Sequence, residues 1–224
     1  LTEDFGIQPG GRVATFRTME PGILHLHLLR HADAAWGEGV ADADRSLSPA
    51  GRQAATRLDR ALDRRWLEVP TLRPELALVS PVRRTRETLR CMPAALGGVD
   101  TRMEDRLWGA TPDSVLDLLR ELSQWPGSVL VLGHEPWLGG LARLLAPSSG
   151  ASLPAGTSAP TSHTGVDGRA GRPGLRPPRN VPTATLLTFR LSVPLWARLD
   201  PGQATLVEII GPHDELPQGP APPS

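Results

Sequence analysis

Residues 23–31, Ile-Leu-His-Leu-His-Leu-Leu-Arg-His, are the stretch from which the fold of this chain can be predicted. Leucines fall on one face of a strand drawn through this stretch, and the apolar run stops abruptly at Arg30 and His31. A buried strand over 23–29 would present both side chains at its carboxyl edge, which is where open α/β sheets bind their ligands. Taken alone, the Arg-His pair is more typical of an exposed loop, so its meaning depends on the other strands.

Two later apolar runs end in similar chemistry. Residues 76–79 and 128–132 are short and continuously apolar, as in interior strands of a parallel sheet. The later run ends at Gly133-His134, and the earlier one is followed by three arginines within one helical turn. From the residues alone, any of these arginines could lie at the strand edge, near a helix N-terminus that attracts anions. They are Arg83, Arg84 and Arg86.

Helix starts are indicated by a hydroxyl residue followed by proline. Serine or threonine supplies a capping oxygen, and proline fits the first turn because its missing N–H has no partner there. The predicted starts are Ser48-Pro49, Ser80-Pro81 and Thr111-Pro112, and Pro136 is expected to begin a fourth helix. With two more strands predicted at 184–191 and 204–210, strands and helices alternate along most of the chain. We therefore expect an α/β fold, a three-layer sandwich with a mostly parallel central sheet.

Composition sets the limits on partners and location. The formal net charge is zero, so no overall field would attract nucleic acid or an anionic membrane, and we expect neither as a partner. The single cysteine, Cys91, excludes an internal disulfide framework and a cysteine-based zinc site, which fits the cytoplasm. No apolar run approaches the roughly 20 residues needed to span a bilayer.

The domain organisation follows from changes in composition. Residues 1–20 are expected to be a flexible leader, and 21–211 one domain. Residues 146–182 are rich in Ser, Gly, Pro, Thr and Arg without apolar periodicity, which predicts a flexible insertion within that domain. The Pro-rich residues 212–224 are expected to be a flexible tail.

The strand ends together predict an oxyanion site. In a parallel sheet, Arg30, His31, one arginine of the 83–86 group and His134 would converge. A neutral imidazole can attack phosphorus while guanidinium groups neutralise the oxygens, and a covalent phosphohistidine divides the transfer into two easier steps. No metal or cofactor is expected. His25 and His27 lack a visible third metal ligand, and Asp33, Asp42 and Asp44 are better explained as a solvated acidic loop than as a magnesium site.

Four motifs, in order, resemble those of the histidine phosphatase superfamily, whose fold is phosphoglycerate mutase-like. They are Leu29-Arg30-His31-Ala32, Arg45-Ser46-Leu47-Ser48-Pro49-Ala50-Gly51, the segment from Ser80 to Thr88, and Gly133-His134-Glu135-Pro136. Their spacing is most similar to that of the small SixA-type phosphohistidine phosphatases, which have a minimal cap. The resemblance covers residues 23–145 well and 183–210 loosely. One departure is Glu135, where these relatives usually carry asparagine.

The resemblance implies a role for each matching residue. His31 would be the nucleophile, Arg30, Arg84 and His134 would bind the phosphoryl group, and Arg45 would assist from the loop. Arg84 is preferred to its neighbours because it aligns with the arginine of the family motif. The general acid is open: Asp105 or Glu104 lies where larger relatives carry an acidic residue, and a solvated loop carboxylate is the alternative. Trp36 and Trp108 are candidate walls of the pocket.

The predicted function is a metal-independent phosphatase that acts through phosphohistidine. Its substrate would be a phosphohistidine protein or a small phosphorylated molecule. Mutase activity or hydrolysis of nucleotide phosphates is an alternative, which the minimal cap disfavours. A non-catalytic phosphate-binding module is an alternative of another class, against which stand the two retained histidines, His31 and His134.

Overall fold

The computed structural model describes residues 23–123, 125–147 and 175–214. The strands are β1 (Leu24–Arg30), β2 (Leu76–Val79), β3 (Asp100–Met103), β4 (Ser128–Gly133), β5 (Leu186–Leu191) and β6 (Ala204–Ile210). The α-helices are α1 (Pro49–Glu68), α2 (Arg83–Arg90), α3 (Pro93–Leu96), α4 (Pro112–Arg120) and α5 (Trp137–Leu145). Short 3₁₀ turns lie at Asp42–Asp44, Pro70–Leu72, Asp105–Leu107 and Trp196–Arg198.

The six strands form one sheet in the order β3-β2-β4-β1-β5-β6. Strands β1 to β4 run parallel, and β5 and β6 join antiparallel at one side. The prediction of a mostly parallel sheet is therefore confirmed. Strand β3 was not predicted, because Asp100–Met103 is a short edge strand that exposes most of its side chains and has no apolar run.

Helices cover both faces of the sheet. Helices α1 and α3 pack on one face, where Leu58, Leu62 and Trp66 meet strand residues such as Leu29. Helices α4 and α5 pack on the other face, against a core that includes Leu26 and Leu28. Successive residues of β1 thus serve opposite cores, as strand geometry requires. The three-layer α/β sandwich is confirmed.

Two of the three predicted hydroxyl caps are present. Ser48 Oγ accepts from the Gly51 N–H at 2.9 Å, and Thr111 forms a capping box with Ser114. The prediction for Ser80 was wrong. Helix α2 begins at Arg83 after Val82, and Ser80 Oγ lies 2.7 Å from His134 Nε2 instead of capping the helix.

Several predicted flexible segments fall outside the described residues. These are the leader at 1–20, residues 148–174 of the insertion and residues 215–224 of the tail. The described chain resumes within the predicted insertion, where Leu175 packs against the core and Val181 is fully buried. None of the described helices combines the length and the apolar character that a membrane span requires.

His27 connects β1 to its surroundings inside the core. Its Nε2–H donates to the Leu72 carbonyl at 2.7 Å, and Thr188 Oγ1 lies 3.0 Å from its Nδ1. The ring also meets Trp66 edge-on, with centroids 5.7 Å apart. His27 is therefore a packed and hydrogen-bonded core histidine, the alternative that the sequence favoured over a metal ligand.

Burial of His27 makes the fold sensitive to acid. Desolvation lowers the pKa of this imidazole from 6.5 to about 3. Below pH 6.5 the unfolded chain therefore binds a proton that the folded His27 rejects, and its contribution to the unfolding free energy falls by about 2 kcal/mol between pH 7.5 and pH 5. Denaturant unfolding at both pH values should show this loss reduced in His27→Gln. The exposed His213→Gln is the control and should match the parent chain; equal pH dependence in all three proteins would contradict the prediction.

Candidate active site

The carboxyl edge of the sheet brings the two predicted site histidines together. β1 and β4 are neighbours in register, with Arg30 opposite Gly133, so His31 and His134 leave the sheet side by side. Their ring centroids are 5.1 Å apart, and the residues are only 8% and 5% exposed. Arg84, in the first turn of α2, is also 5% exposed and places Nε 3.2 Å from His31 Nε2.

His31 is held as a neutral imidazole with a defined tautomer. Its Nδ1–H donates to the Ala32 carbonyl at 2.7 Å, so Nε2 carries the lone pair and faces Arg84. Burial, together with the positive charges of Arg84, Arg30 and Arg45, lowers the pKa of His31 to about 4, against the opposing effect of the Ala32 hydrogen bond. At neutral pH, Nε2 is therefore an unprotonated nucleophile.

His134 has the complementary arrangement. Ser80 Oγ lies 2.7 Å from Nε2, and within the described chain this hydroxyl has no other partner to which it could donate. We therefore assign its proton to the bond with Nε2, which places the His134 proton on Nδ1. Nδ1 is buried and unpaired among the described residues. Burial, with the nearby His31 and Arg84, lowers the pKa of His134 to about 3, so the ring stays neutral while offering an N–H donor.

Two arginines flank the imidazoles. Arg84 donates from Nη1 to the Asp42 carbonyl at 2.5 Å and from Nη2 to Asp42 Oδ2 at 3.0 Å. Arg30 donates from Nη1 to the Val181 carbonyl at 2.5 Å, while its Nε is buried and unpaired within the described ranges. The positive charges of both guanidinium groups lower the pKa of His31 and of His134.

Arg45 organises the loop between β1 and α1. Its Nε and Nη2 donate to the carbonyls of Ala35 and Ala34 at 3.2 and 3.1 Å, and its Nη1 pairs with Asp42 at 3.1 Å. The guanidinium also stacks on Trp36, 3.7 Å from the ring centroid. These bonds are to the protein itself, so direct phosphate binding by Arg45 stays a prediction.

The predicted acid is not brought into contact with the imidazoles by any bond of the described chain. Asp105 is exposed, and its carboxylate makes no hydrogen bond or ion pair there. Glu104 is bound to Arg106 at 2.9 Å. Trp108 is better placed: its ring meets His134 edge-on at 5.5 Å, and its centroid lies 5.3 Å from the Arg84 guanidinium carbon. Trp108 thus forms a wall of the pocket, whereas Trp36 is largely exposed.

Sequence reasoning missed two residues of the site, Asp42 and Ser80. Asp42 was interpreted as part of a solvated loop, but it pairs with both Arg84 and Arg45. Its position three residues before Arg45 was a usable signal, since a short turn brings such a pair together. Ser80 directly follows β2, at the same carboxyl edge of the sheet as the histidines. No group of three or more His, Cys, Asp or Glu side chains suited to a metal ion occurs in the described part of the chain.

Comparison with known proteins identifies the family to which the chain belongs. Residues 26–109 match the family model of the histidine phosphatase superfamily, branch 1. An uncharacterized protein of Mycobacterium tuberculosis is 32% identical over 181 residues, which cover 80% of this chain and 96% of that protein.

Solved structures of other proteins share the fold of this chain. A candidate phosphohistidine phosphatase SixA from Agrobacterium tumefaciens is 26% identical, with a TM-score of 0.57 over 84% of this chain and 97% of that one. The protein histidine phosphatase SixA in complex with tungstate shares the fold, at 21% identity and a TM-score of 0.58 over 84% and 97% of the two chains. The chain belongs to branch 1 of the histidine phosphatase superfamily and is a phosphatase.

Proposed function

We propose that this phosphatase acts through a phosphohistidine at His31 and that its substrates carry phosphate on a group that leaves without strong protonation. Phosphohistidine in a protein is the preferred substrate class, and a small phosphorylated molecule is the other. The observation that carries the proposal is the neutral His31, whose Nε2 lone pair faces Arg84 at 3.2 Å, beside the unpaired Nδ1 of His134.

The two steps use these groups in turn. His31 Nε2 attacks phosphorus, the bond to the leaving nitrogen or oxygen breaks, and the leaving group takes that electron pair. Water then attacks the phosphorus, the P–N bond breaks with its electron pair returning to Nε2, and the protons of water end on the phosphate and the leaving group. Arg30, Arg84 and His134 Nδ1–H would stabilise the negative oxygens of both transition states.

The substrate class is supported by the position of the two candidate acids, neither of which contacts the imidazoles through a bond of the described chain. Asp105 is exposed and unpaired among the described residues, and Glu104 is tied to Arg106. Hydrolysis of an alkyl phosphate needs a positioned acid, because alkoxide is a poor leaving group. An imidazole or a phenol departs more easily. We therefore expect weak activity on alkyl phosphates.

A substrate panel tests the proposal. Initial rates would be measured with a phosphohistidine peptide, p-nitrophenyl phosphate, a sugar phosphate, 3-phosphoglycerate and a nucleoside triphosphate. The expected order places the first two at least about tenfold above the sugar phosphate and 3-phosphoglycerate in kcat/KM, since these two alkyl phosphates have poor alkoxide leaving groups. Equal or faster turnover of the alkyl phosphates would overturn the substrate class, and faster turnover of the nucleoside triphosphate than of the phosphohistidine peptide would favour a nucleotide-phosphate hydrolase. Interconversion of phosphoglycerates without release of phosphate would favour a mutase.

In the parent chain, the carboxylate of Asp42 is expected to weaken the binding of anions at the site. Its carboxylate lies 3.0 Å from Arg84 Nη2 and is 53% exposed, so it competes with a phosphoryl group for the same guanidinium. In Asp42→Asn the backbone carbonyl still holds Arg84 Nη1, but the repelling charge is gone. We expect the inhibition constant of tungstate, a tetrahedral oxyanion, to fall about fivefold, the direction that Coulomb's law gives.

The matched control is Asp44→Asn. Asp44 lies in the same turn and carries the same charge, but its carboxylate makes no bond within the described residues. It should change tungstate inhibition less than twofold. Tighter binding in both variants would indicate a general charge effect, and weaker binding in Asp42→Asn would mean that Asp42 orients Arg84 more than it competes.

A further inference from the structure

Glu135, which stands where SixA-type relatives usually carry asparagine, makes two hydrogen bonds to backbone. One carboxylate oxygen, Oε1, accepts from the Val181 N–H at 2.7 Å, and the other, Oε2, accepts from the Gly139 N–H at 3.2 Å. The charge beside the phosphate pocket is therefore engaged with the protein itself. Its partner Val181 belongs to residues 178–181, here named the return segment, which lie shortly after the described chain resumes at residue 175.

The return segment binds Glu135 and Arg30 through the two backbone polar groups of Val181. The Val181 N–H donates to Glu135, while the Val181 carbonyl accepts from Arg30 Nη1 at 2.5 Å. Asn180 Oδ1 is a second, longer acceptor for the same nitrogen, at 3.3 Å. Because the Val181 side chain is fully buried, this residue is a fixed bridge between Glu135 and Arg30.

The hydrogen bond to the Val181 carbonyl holds one terminal nitrogen of the Arg30 guanidinium. With Nη1 held by Val181, Arg30 keeps its Nε buried and unpaired among the described residues. Burial lowers the pKa of Arg30, and the negative charge of Glu135 is the first of the two charges that oppose this effect. Glu135 thus favours both the position and the charged form of the guanidinium.

The surroundings of Glu135 are shaped to hold it. A Cβ at Gly139 would lie 2.8 Å from Oε1, 3.0 Å from Oε2 and 3.3 Å from Arg143 Nη1, so any larger residue would displace the carboxylate. Arg143 fastens the other end of the return segment, donating to the carbonyl of Arg179 at 2.6 Å and to that of Pro178 at 3.3 Å. Glu135 and Arg143 hold neighbouring parts of one segment, but only the part at Glu135 contacts Arg30.

We propose that Glu135 is a positioning residue that acts through Val181 to hold Arg30 in the orientation that binds the phosphoryl group. The proposal rests on the function proposed above. It predicts that removing Glu135 changes oxyanion binding in the direction opposite to that expected from removing a simple negative charge. If Glu135 acted only as a negative charge near the pocket, its removal would strengthen oxyanion binding; if it positions Arg30, removal of the hydrogen bond to Val181 weakens that binding.

The test uses the full chain and measures tungstate binding by titration calorimetry, with KM and kcat for p-nitrophenyl phosphate. Glu135→Ala should weaken tungstate binding about tenfold and raise KM by a similar factor, with kcat changed less. Glu135→Gln can still accept from the Val181 N–H, so it should stay within about twofold of the parent. Arg143→Ala, which frees only the other end of the segment, should also stay within about twofold. Thermal midpoints separate these effects from a loss of folded protein.

Two further variants make the test specific. Gly139→Ala keeps the Glu135 charge but displaces its carboxylate, so it should weaken tungstate binding as Glu135→Ala does, and it serves if Glu135→Ala does not fold. In an Arg30→Ala background, Glu135→Ala should cause no further loss, because the bridge then has nothing to position. Unchanged or tighter binding in both Glu135→Ala and Gly139→Ala, or a full additional loss in the Arg30→Ala background, overturns the proposal. Failure of the parent chain to bind tungstate would instead count against the proposed function.

Discussion

Replacing His31 by alanine should lower kcat/KM for p-nitrophenyl phosphate by about 10³-fold or more, because the variant loses the atom that forms the covalent intermediate. The parent imidazole is neutral, with its pKa lowered to about 4, and its tautomer is fixed by the Ala32 carbonyl. Alanine leaves Arg30, Arg84 and His134 in place. The variant should therefore still bind tungstate while it no longer turns over.

Brief incubation with a radiolabelled phosphoryl donor separates nucleophilic catalysis from simple binding. The parent chain should acquire an acid-labile label that maps to His31, and His31→Ala should acquire none. His213→Ala is the control, because His213 is exposed and follows β6 in the sequence. This variant should keep both the label and the rate. Full activity in His31→Ala would end the proposal of a phosphohistidine at this position. If His31→Ala loses its rate but the parent chain never acquires a label, the imidazole acts as a general base and not as a nucleophile.

The placement of the two histidines was predictable from sequence because it depends on rules that act over short stretches. Apolar runs that end in Arg30-His31 and Gly133-His134 identify buried strands and the edge at which each strand ends. Parallel strands that alternate with helices put those edges on one side of the sheet. The structure follows this rule, with β1 and β4 adjacent and His31 N–H donating to the Gly133 carbonyl at 3.0 Å.

The partners of these histidines were not predictable, because they come from segments distant in sequence. Ser80 looks like a helix cap on local grounds, but its hydroxyl lies against His134, 54 residues away. Asp42 looks like a solvated loop residue until the fold places it against Arg84. Glu135 binds Val181, 46 residues later and beyond a segment with no apolar pattern. Such contacts depend on side-chain packing, on which local periodicity carries no information.

Arg84→Ala should reduce kcat/KM by about 10²- to 10³-fold, because Arg84 is the guanidinium in direct contact with the nucleophile and would stabilise the developing charge on the phosphoryl oxygens. Physical reasoning from sequence could not separate it from Arg83 and Arg86. The structure does: Arg83 is exposed and pairs with Glu87 at 2.8 Å, Arg86 is exposed, and Arg84 is buried with Nε 3.2 Å from His31 Nε2.

Arg86→Ala is the matched control, since it removes the same side chain from the same helix two residues away. It should retain kcat/KM within about twofold, as expected for an exposed side chain away from the site. Arg84→Lys distinguishes charge from geometry: lysine restores a positive charge but lacks the planar fork, so it should recover only part of the loss. If Arg84→Ala and Arg86→Ala lose activity equally, helix α2 acts through its overall charge, and the contact between Arg84 and His31 has no special part in the reaction. If only Arg84→Ala loses activity and lysine restores nothing, the direction of the guanidinium N–H groups matters more than their charge.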